Sequence, residues 1–255
     1  MYNYQMCLVE KLQMSKNKKL RGVILAGGKG TRLQPATRLL NKHLIPLINV
    51  PMISYPLSTL RTLGIEDILI VTGGDCLGGF ADYLGDGSKF EVNLTYKVQR
   101  ESGGIAQALG LARDFSSGEP IVVILGDNVF QDDGSLSINY SDANNRASLV
   151  VCETDSPERF GVYDPKRNEI IEKPTSPRSK LAVTGLYSYP ADVFDFIDKL
   201  TPSERGELEI TDVNNYYLSR DKANIFKFDG FWSDCGTPES MLATINHLHG
   251  KRKQE

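Results

Sequence analysis

The sequence has little that could support a disulfide framework or a structural zinc site. Its four cysteines lie far apart along the chain and form no C-x-x-C pair. Closely spaced cysteines are what a zinc site or a small disulfide scaffold requires. We therefore expect a reduced, cytoplasmic protein without either feature. The four residues are Cys7, Cys76, Cys152 and Cys235.

Long apolar runs and a strong excess of one charge are also missing. No stretch approaches the roughly 18 apolar residues that a membrane helix needs. The formal net charge is −3 and the pI is about 5.7. A balance this close to neutral does not favour a nucleic-acid-binding surface. We therefore expect neither a membrane nor a nucleic acid among the partners.

Low-complexity linkers are absent from the 255 residues, of which 40% are hydrophobic. This length and composition support a substantial core, and we expect a single domain over residues 20–250. Residues 1–19 are polar and lysine-rich, and they lack the apolar core of a signal peptide. We expect them to form a flexible or partly helical arm, with Met14 as an alternative start.

A glycine-rich loop follows the first strand-like run of the chain. The apolar run Gly22–Leu25 breaks into glycines at 27, 28 and 30, and then reaches Thr31 and Arg32. Glycines let the backbone turn sharply, and successive N–H groups in such a loop form a concave anion site. The arginine adds a planar cation suited to phosphate oxygens. A tight turn without a ligand is the simpler alternative, but the following arginine favours phosphate binding.

Two familiar nucleotide motifs are absent. No spacing supplies the G-x-x-x-x-G-K-[ST] of a Walker loop. The dinucleotide fingerprint G-x-G-x-x-G places Leu33 where glycine or alanine is needed, and residues 43–52 lack the acidic residue that it also requires. The missing fingerprint argues against a dehydrogenase.

Strands and helices alternate through the first half of the chain, which predicts a parallel sheet. Ligands bind beyond the carboxyl ends of such strands, so Asp127 and the Gly27 loop are expected at one edge. The fold class predicted is α/β, with a Rossmann-like, mostly parallel central sheet flanked by helices. The predicted strands are 22–25, 68–71, 92–98 and 121–125, and the predicted helices are 51–63, 80–84 and one opened by Gly104 that runs to 113.

The second half has a different pattern, which we interpret as an elaboration of the same domain. A hairpin is expected around residues 165–168, and no linker separates the halves. The predicted strands are 147–152, 160–163, 169–171 and 183–189. The predicted helices are 192–200, a segment reaching 219 that contains Thr211, and 238–249.

Several motifs together resemble those of the sugar-1-phosphate nucleotidyltransferases, most closely the glucose-1-phosphate thymidylyltransferases. The resemblance covers roughly residues 20–248. It is carried by L-A-G-G-K-G-T-R-L at 25–33, K-H-L-I-P at 42–46, L-G-D-N at 125–128, E-K-P at 172–174 and R-G-E-L-E-I-T-D at 205–212.

The resemblance implies a nucleotide site in residues 20–130. Gln99 and the Gly104 backbone match positions that read the pyrimidine edge, and Lys42 matches a phosphate-binding lysine. His43 stands where many relatives have glutamine, and we assign it no role as a base or ligand. The implied nucleotide-binding residues are Leu25, Ala26, Gly27, Gly28, Gly30, Thr31, Arg32, Lys42, Gln99, Gly104 and Asp127.

The resemblance also implies sugar-phosphate binding and oligomer contacts mainly in residues 131–235. Glu172 matches a residue that binds sugar hydroxyls, and Lys173 and Arg205 match residues that meet the phosphate. Phe160 replaces a tyrosine of many relatives, so any contact from that hydroxyl is lost. The implied residues are Asn128, Gly161, Glu172, Lys173, Val183, Tyr187 and Arg205.

A magnesium site is implied at Asp127 and Asp234, since hard oxygen ligands suit that ion. On local pattern alone, a cap of a turn or helix is the less favoured alternative for Asp127, and Asp234 could also be a cap. His247 and His249 point to different faces of a helix and do not form a metal pair. The catalytic residues implied by the resemblance are Arg32, Lys42, Asp127, Lys173 and Asp234.

The implied reaction is the transfer of a nucleoside monophosphate from dTTP to glucose 1-phosphate, with release of pyrophosphate. Two alternatives stay open: a UTP-dependent uridylyltransferase and a non-catalytic nucleotide-sugar-binding protein. A homo-oligomer, either a dimer or a tetramer, is expected. Longer relatives carry a further C-terminal helical part that helps to build a regulatory site, and the chain stops soon after the helix that reaches residue 249.

Overall fold

A central strand, Arg21–Ala26 (β1), carries the glycine-rich loop at its carboxyl end. The computed structural model describes residues 20–131, 136 and 142–252. The predicted N-terminal arm, residues 1–19, lies outside the described residues.

The other strands follow β1 in chain order. They are Pro46–Leu47 (β2), Val50–Pro51 (β3), Asp67–Gly73 (β4), Asn93–Gln99 (β5), Ile121–Leu125 (β6), Val129–Gln131 (β7), Ala147–Glu153 (β8), Gly161–Asp164 (β9), Glu169–Glu172 (β10), Leu181–Tyr189 (β11), Ala223–Phe228 (β12) and Phe231–Ser233 (β13). The helices are Ser54–Thr62 (α1), Leu77–Leu84 (α2), Ile105–Gly110 (α3), Arg113–Ser116 (α4), Val193–Ile197 (α5), Ile210–Leu218 (α6) and Pro238–Arg252 (α7).

The main sheet has the strand order β10-β9-β11-β6-β1-β4-β5, with β8 joined to β11 and β12 joined to β8. Strands β6, β1, β4 and β5 are parallel neighbours, whereas β11 runs antiparallel to β6. The predicted α/β class with a mixed, mostly parallel central sheet and flanking helices is confirmed. The division of the domain at residue 130 stays a prediction.

Both faces of β1 are buried, as expected for a parallel strand at the centre of a sheet. Val23 and Leu25 pack into a core cluster that also contains residues of α3, α5 and α6. Ile24 and Ala26 face the opposite cluster, which contains residues of α1 and α2. The molecule therefore has three layers, with helices on each side of the sheet.

Some predicted boundaries were wrong. The helix predicted over 51–63 begins only at Ser54, because residues 50–51 pair with residues 46–47 in a short hairpin. The helix predicted to reach Arg113 ends at Gly110, and a separate short helix follows. Strands β12 and β13 were not predicted. They are ordered by pairing with β8 and β7, which are distant in sequence.

A bulge interrupts β11 between Val183 and Tyr187. Thr184 Oγ1 donates to the Val150 carbonyl at 2.9 Å, and the Gly185 N–H donates to Asn128 Oδ1 at 2.9 Å. A Cβ at Gly185 would lie 2.6 Å from Leu125 Cγ, so only glycine fits this close approach. The bulge therefore fixes β11 against the end of β6, where Asp127 follows.

Among the described residues, no helix combines the length and apolar character needed to cross a membrane.

Two leucines on helices test where the stability of the fold resides. Leu60 of α1 is fully buried, whereas Leu242 of α7 is 60% exposed. We expect Leu60→Ala to lower the free energy of unfolding by about 2–5 kcal/mol, because it leaves a cavity under the sheet. Leu242→Ala should change it by less than about 0.5 kcal/mol. Urea unfolding followed by circular dichroism measures both, and equal losses would contradict the assignment of the core.

Candidate active site

The glycine-rich loop and Asp127 leave the sheet side by side. Strands β1 and β6 are parallel neighbours with Leu25 opposite Leu125. One residue beyond β6, the Gly126 N–H donates to the Leu25 carbonyl at 2.9 Å. The phosphate-type loop and the carboxylate therefore lie at the same edge of the sheet, as expected from the strand pattern.

The glycine loop is shaped to fit the Lys42 side chain. Gly30 has a φ of 62° and begins the turn Thr31–Leu33. A Cβ at Gly30 would lie 3.0 Å from Lys42 Cβ, and one at Gly28 would lie 3.6 Å from Lys42 Nζ. The lysine therefore runs along the loop and brings its ammonium group to the place where the loop glycines lie.

Asp127 is bound from both sides. Lys42 Nζ donates to Asp127 Oδ2, and Asn128 Nδ2 donates to Asp127 Oδ1 at 3.0 Å. Burial raises the pKa of Asp127. However, the Lys42 charge and the two hydrogen bonds outweigh burial and hold this pKa below its ordinary value. Asp127 is therefore a carboxylate at neutral pH.

Asn128 orients Asp127. Its Oδ1 accepts hydrogen bonds from the Gly185 N–H at 2.9 Å and from Trp232 Nε1 at 2.7 Å, while its amide donates to Asp127. The side chain is 2% exposed. Sequence reasoning placed Asn128 among the sugar-phosphate residues, whereas its contacts in this structure join β6, β11 and β13 behind the carboxylate.

His43 is a neutral, buried imidazole. Burial lowers its pKa to about 3, and the adjacent Lys42 charge acts in the same direction. Asn41 Oδ1 accepts from the His43 backbone N–H at 2.9 Å and lies 2.7 Å from Nδ1. Because this oxygen can only accept, Nδ1 carries the proton. His43 thus anchors the turn that carries Lys42 without titrating near neutral pH.

Gln99 lies on the other side of the glycine loop. A Cβ at Gly27 would overlap the Gln99 amide, so the two are in direct contact. Gln99 Nε2 donates to Gln107 Oε1 at 2.7 Å, and the Gly103 N–H donates to the same oxygen at 3.3 Å. Gln107, which sequence reasoning did not single out, therefore fixes the orientation of the Gln99 amide.

Gly104 can take no other residue. Its φ is 99°, and a Cβ there would lie 2.5 Å from the Leu208 carbonyl oxygen. The Leu208 N–H donates to the Gly103 carbonyl at 2.8 Å, and the Ala106 N–H donates to the Leu208 carbonyl. These bonds join the loop that was predicted to read the base to the segment that carries Arg205.

The predicted sugar-phosphate side forms one network. Glu172 Oε2 accepts from Thr211 Oγ1 at 2.6 Å, and Glu172 Oε1 lies 3.4 Å from Arg205 Nη2 and 3.5 Å from Lys173 Nζ. A Cβ at Gly161 would lie 3.3 Å from Glu172 Oε2, so glycine leaves this carboxylate accessible. The structure thus brings together four of the residues that the sequence assigned to this side, namely Gly161, Glu172, Lys173 and Arg205.

Tyr187 connects the two sides. Its ring is buried just after the bulge of β11, where Val183 also lies. Burial raises the pKa of its phenol well above the ordinary value, and the charges of Glu172 and Asp127 add to that rise. The charges of both carboxylates therefore act on the Tyr187 phenol.

Asp234 converges on the same edge. Strands β13 and β7 pair with Ser233 opposite Val129, which brings Asp234 beside the end of β6. A Cβ at Gly236 would lie 3.0 Å from Asp234 Oδ2 and 3.2 Å from Arg32 Nη2. Burial raises the pKa of the Cys235 thiol to about 12, and both Asp127 and Asp234 contribute to the rise. Both carboxylates are therefore near the same thiol.

The donors present fit a magnesium ion. Mg²⁺ is usually held by one or two carboxylates, with phosphate oxygens and water completing an octahedron. Asp127 and Asp234 supply two carboxylates at one edge of the sheet. No group of three or more histidines, cysteines or acidic residues that could enclose a metal occurs among the described residues.

Sequence reasoning missed one charged residue of the site. Arg159 Nη2 donates to Asp234 Oδ1 at 3.0 Å and to Oδ2 at 2.8 Å. The residue belongs to the segment P-E-R-F-G-V at 157–162, but a single arginine 75 positions from Asp234 gives no local sign of this pairing. The functions that the sequence analysis assigned to the other site residues stay predictions.

Known proteins resemble this chain in sequence. A family model described as "Nucleotidyl transferase" matches residues 21–251. A glucose-1-phosphate thymidylyltransferase of Xanthomonas campestris pv. campestris (strain B100) is 42% identical over 236 residues, covering 89% of this chain and 80% of the relative. One of Mycobacterium tuberculosis is 36% identical over 243 residues, covering 92% and 84%.

Solved structures show the same architecture. A Bacillus anthracis crystal structure assigned as a glucose-1-phosphate thymidylyltransferase superposes with a TM-score of 0.83 at 44% identity, covering 89% of this chain and 94% of that one. A UDP-glucose pyrophosphorylase superposes with a TM-score of 0.82 at 23% identity, covering 91% and 99%, which shows the shared fold alone. With its family match over nearly the whole described chain, this protein belongs to the nucleotidyl transferase family.

Proposed function

We propose that the protein transfers dTMP from dTTP to glucose 1-phosphate, giving dTDP-glucose and pyrophosphate. The observation that carries this proposal is the placement of Asp127 and Asp234 at adjoining strand ends beside the Gly27 loop, together with the cluster of Glu172, Lys173 and Arg205. The relatives named above as glucose-1-phosphate thymidylyltransferases support the choice of substrates.

The chemistry needs no general base, because the attacking oxygen of a sugar phosphate is already an anion. The main obstacle is the repulsion between two polyanions, which grows as water is excluded. Arg32 and Lys42 lie on the nucleotide side, and Lys173 and Arg205 lie on the sugar side. Four cations are thus placed to offset this repulsion.

Mg²⁺ is the cofactor that we propose, with Asp127 and Asp234 as its ligands. When bound, it would neutralise phosphate charge and polarise the α-phosphate. Asn128 and Trp232 fix the Asp127 side of this site. The rest of the rate acceleration comes from alignment for in-line attack, which can supply about 7 kcal/mol or more when the geometry is right.

The Gln99–Gln107 pair and the Gly104 backbone select the base of the nucleotide. Amide groups held in one orientation are left unpaired when a base with a different edge enters, which disfavours purines. Thymine and uracil share the same pairing edge, so a uridylyltransferase remains the alternative. The thymidylyltransferase relatives favour dTTP.

The protein is proposed to act as a homo-oligomer, a dimer or tetramer, in the cytoplasm. Sedimentation or light scattering gives the oligomeric state directly.

Removing one metal-ligand charge tests the centre of the proposal. We expect Asp127→Asn to keep the fold but to lower turnover by about a hundred-fold or more, because the site loses charge at the α-phosphate. A pyrophosphate-release assay with dTTP, glucose 1-phosphate and Mg²⁺ measures this. Thermal unfolding serves as the control for folding. Turnover equal to that of the unmodified protein would refute the assignment.

Substitution of two lysines near one hairpin distinguishes an effect on sugar-phosphate binding from a general effect of surface charge. Lys173 lies beside Glu172, whereas Lys166 lies at the exposed turn between β9 and β10. We expect Lys173→Ala to raise the KM for glucose 1-phosphate about ten-fold or more, with a smaller change for dTTP, since a charge-assisted contact is lost. Lys166→Ala should change neither constant. Equal rises for both substrates in Lys173→Ala would contradict the assignment.

Comparison of two nucleotides tests the choice of base. Because dTTP carries a methyl group that UTP lacks, we expect kcat/KM for dTTP to exceed that for UTP by about ten-fold or more. Pyrophosphate release with each nucleotide and saturating glucose 1-phosphate measures the ratio. A ratio below one would establish the uridylyltransferase alternative.

A further inference from the structure

The ion pair between Arg159 and Asp234 is not explained by the proposed ligand roles. Both carboxylate oxygens of Asp234 accept from a single nitrogen, Arg159 Nη2, at 3.0 and 2.8 Å. A metal ion at Asp234 would have to approach the same oxygens. Arg159 and a metal ion would therefore compete for the carboxylate of Asp234.

The other aspartate has an equivalent partner. Asp127 Oδ2 is held by Lys42, just as Asp234 is held by Arg159. Both carboxylates are largely covered, with side-chain exposures of 15% and 16%. Each proposed metal ligand is thus paired with one basic side chain. This arrangement relieves the mutual repulsion of two carboxylates at one edge.

Arg159 keeps binding capacity while it holds Asp234. Within the described residues, its Nε and Nη1 groups make no hydrogen bond, and the side chain is 32% exposed. Its guanidinium lies 5.0 Å from the centre of the Phe160 ring, which lies 5.0 Å from the Trp232 ring. The aromatic pair lies against the arginine, and no described residue accepts from its remaining donors.

The location of Arg159 identifies which anion it can reach. The next residue, Phe160, accepts a hydrogen bond at its carbonyl from the Lys173 N–H at 3.0 Å. Arg159 therefore lies beside the segment that carries Glu172 and Lys173, on the sugar-phosphate side of the edge. A planar guanidinium with free donors is well suited to phosphate oxygens.

We propose that Arg159 is an exchangeable counter-ion of Asp234: a divalent cation displaces it from the carboxylate, and it then binds the phosphate of the sugar 1-phosphate. This inference rests on the proposed function, because it assumes a metal at Asp234. It gives one residue two successive anionic partners, and it couples occupancy by the metal to binding of the second substrate.

Binding of Mn²⁺ alone, followed by electron paramagnetic resonance on the metal-free protein, tests the exchange. Arg159→Gln removes the competing charge, so Mn²⁺ should bind about five-fold more tightly. Arg159→Lys keeps a cation with fewer donors and should give an intermediate affinity. Arg167→Gln is the matched control, since Arg167 lies in the turn of the hairpin that follows Arg159, is 57% exposed and pairs only loosely with Glu169 at 3.5 Å. It should leave Mn²⁺ affinity unchanged.

A double variant shows whether the gain in Mn²⁺ affinity depends on the Asp234 carboxylate. In Arg159→Gln/Asp234→Asn the gain in Mn²⁺ affinity should disappear, because the carboxylate that was uncovered is gone. Arg159→Gln should also raise the KM for glucose 1-phosphate about ten-fold at saturating metal. Thermal unfolding shows whether each variant is folded, and Arg159→Lys carries the test if Arg159→Gln does not fold.

Unchanged or weaker Mn²⁺ binding in the folded Arg159 variants would overturn the proposal, as would a gain that survives in the double variant. An unchanged KM for glucose 1-phosphate would overturn its second half. The Mn²⁺ titration contains neither nucleotide nor sugar. Failure of the dTTP and glucose 1-phosphate assay would therefore refute the proposed function without producing any of these results.

Discussion

The pairing of β1 with β6 is the constraint on which the rest of the site depends. Their parallel register sets the glycine loop and Asp127 just beyond neighbouring strand ends, joined by the bond from the Gly126 N–H to the Leu25 carbonyl. Both faces of β1 are buried, so the register cannot slip without exposing core residues. The energy that holds the phosphate-type loop beside the carboxylate is thus the burial energy of the central sheet.

Charge compensation is the second organising feature. The proposed substrates are both phosphorylated, so the proposed site must concentrate cations, and the proposed magnesium ligands must also be ionised. The structure meets both needs by pairing Asp127 with Lys42 and Asp234 with Arg159. On the sugar side, Glu172 faces Lys173 and Arg205 in the same way. These pairs hold the side chains in place at the edge of the sheet.

Rigid connections join the parts of the site. Asn128 links β6, β11 and β13 through three hydrogen bonds of one side chain. The bonds among Gly103, Ala106 and Leu208 tie the loop beside Gln99 to the segment of Arg205. Because these contacts run through backbone groups and buried amides, the nucleotide and sugar sides form a single framework.

The sequence by itself determined the elements whose signal is local. Apolar runs marked the central strands, the glycines after β1 marked a phosphate-type loop, and the position of Asp127 after a buried strand marked the ligand edge. The order of the motifs was enough to indicate the family. Helix boundaries were predicted less well, since Val50 and Pro51 join a hairpin that depends on residues 46–47.

Only the tertiary structure decided which distant residues meet. The pairing of β13 with β7 brings Asp234 to Asp127, the bulge of β11 fixes Asn128, and the fold sets Arg159 against a carboxylate 75 positions away. Such contacts leave no periodic trace in the sequence, because a single charged residue looks the same whether it faces solvent or a partner. Its partner is selected by the packing of the whole sheet, which is a property of the folded chain.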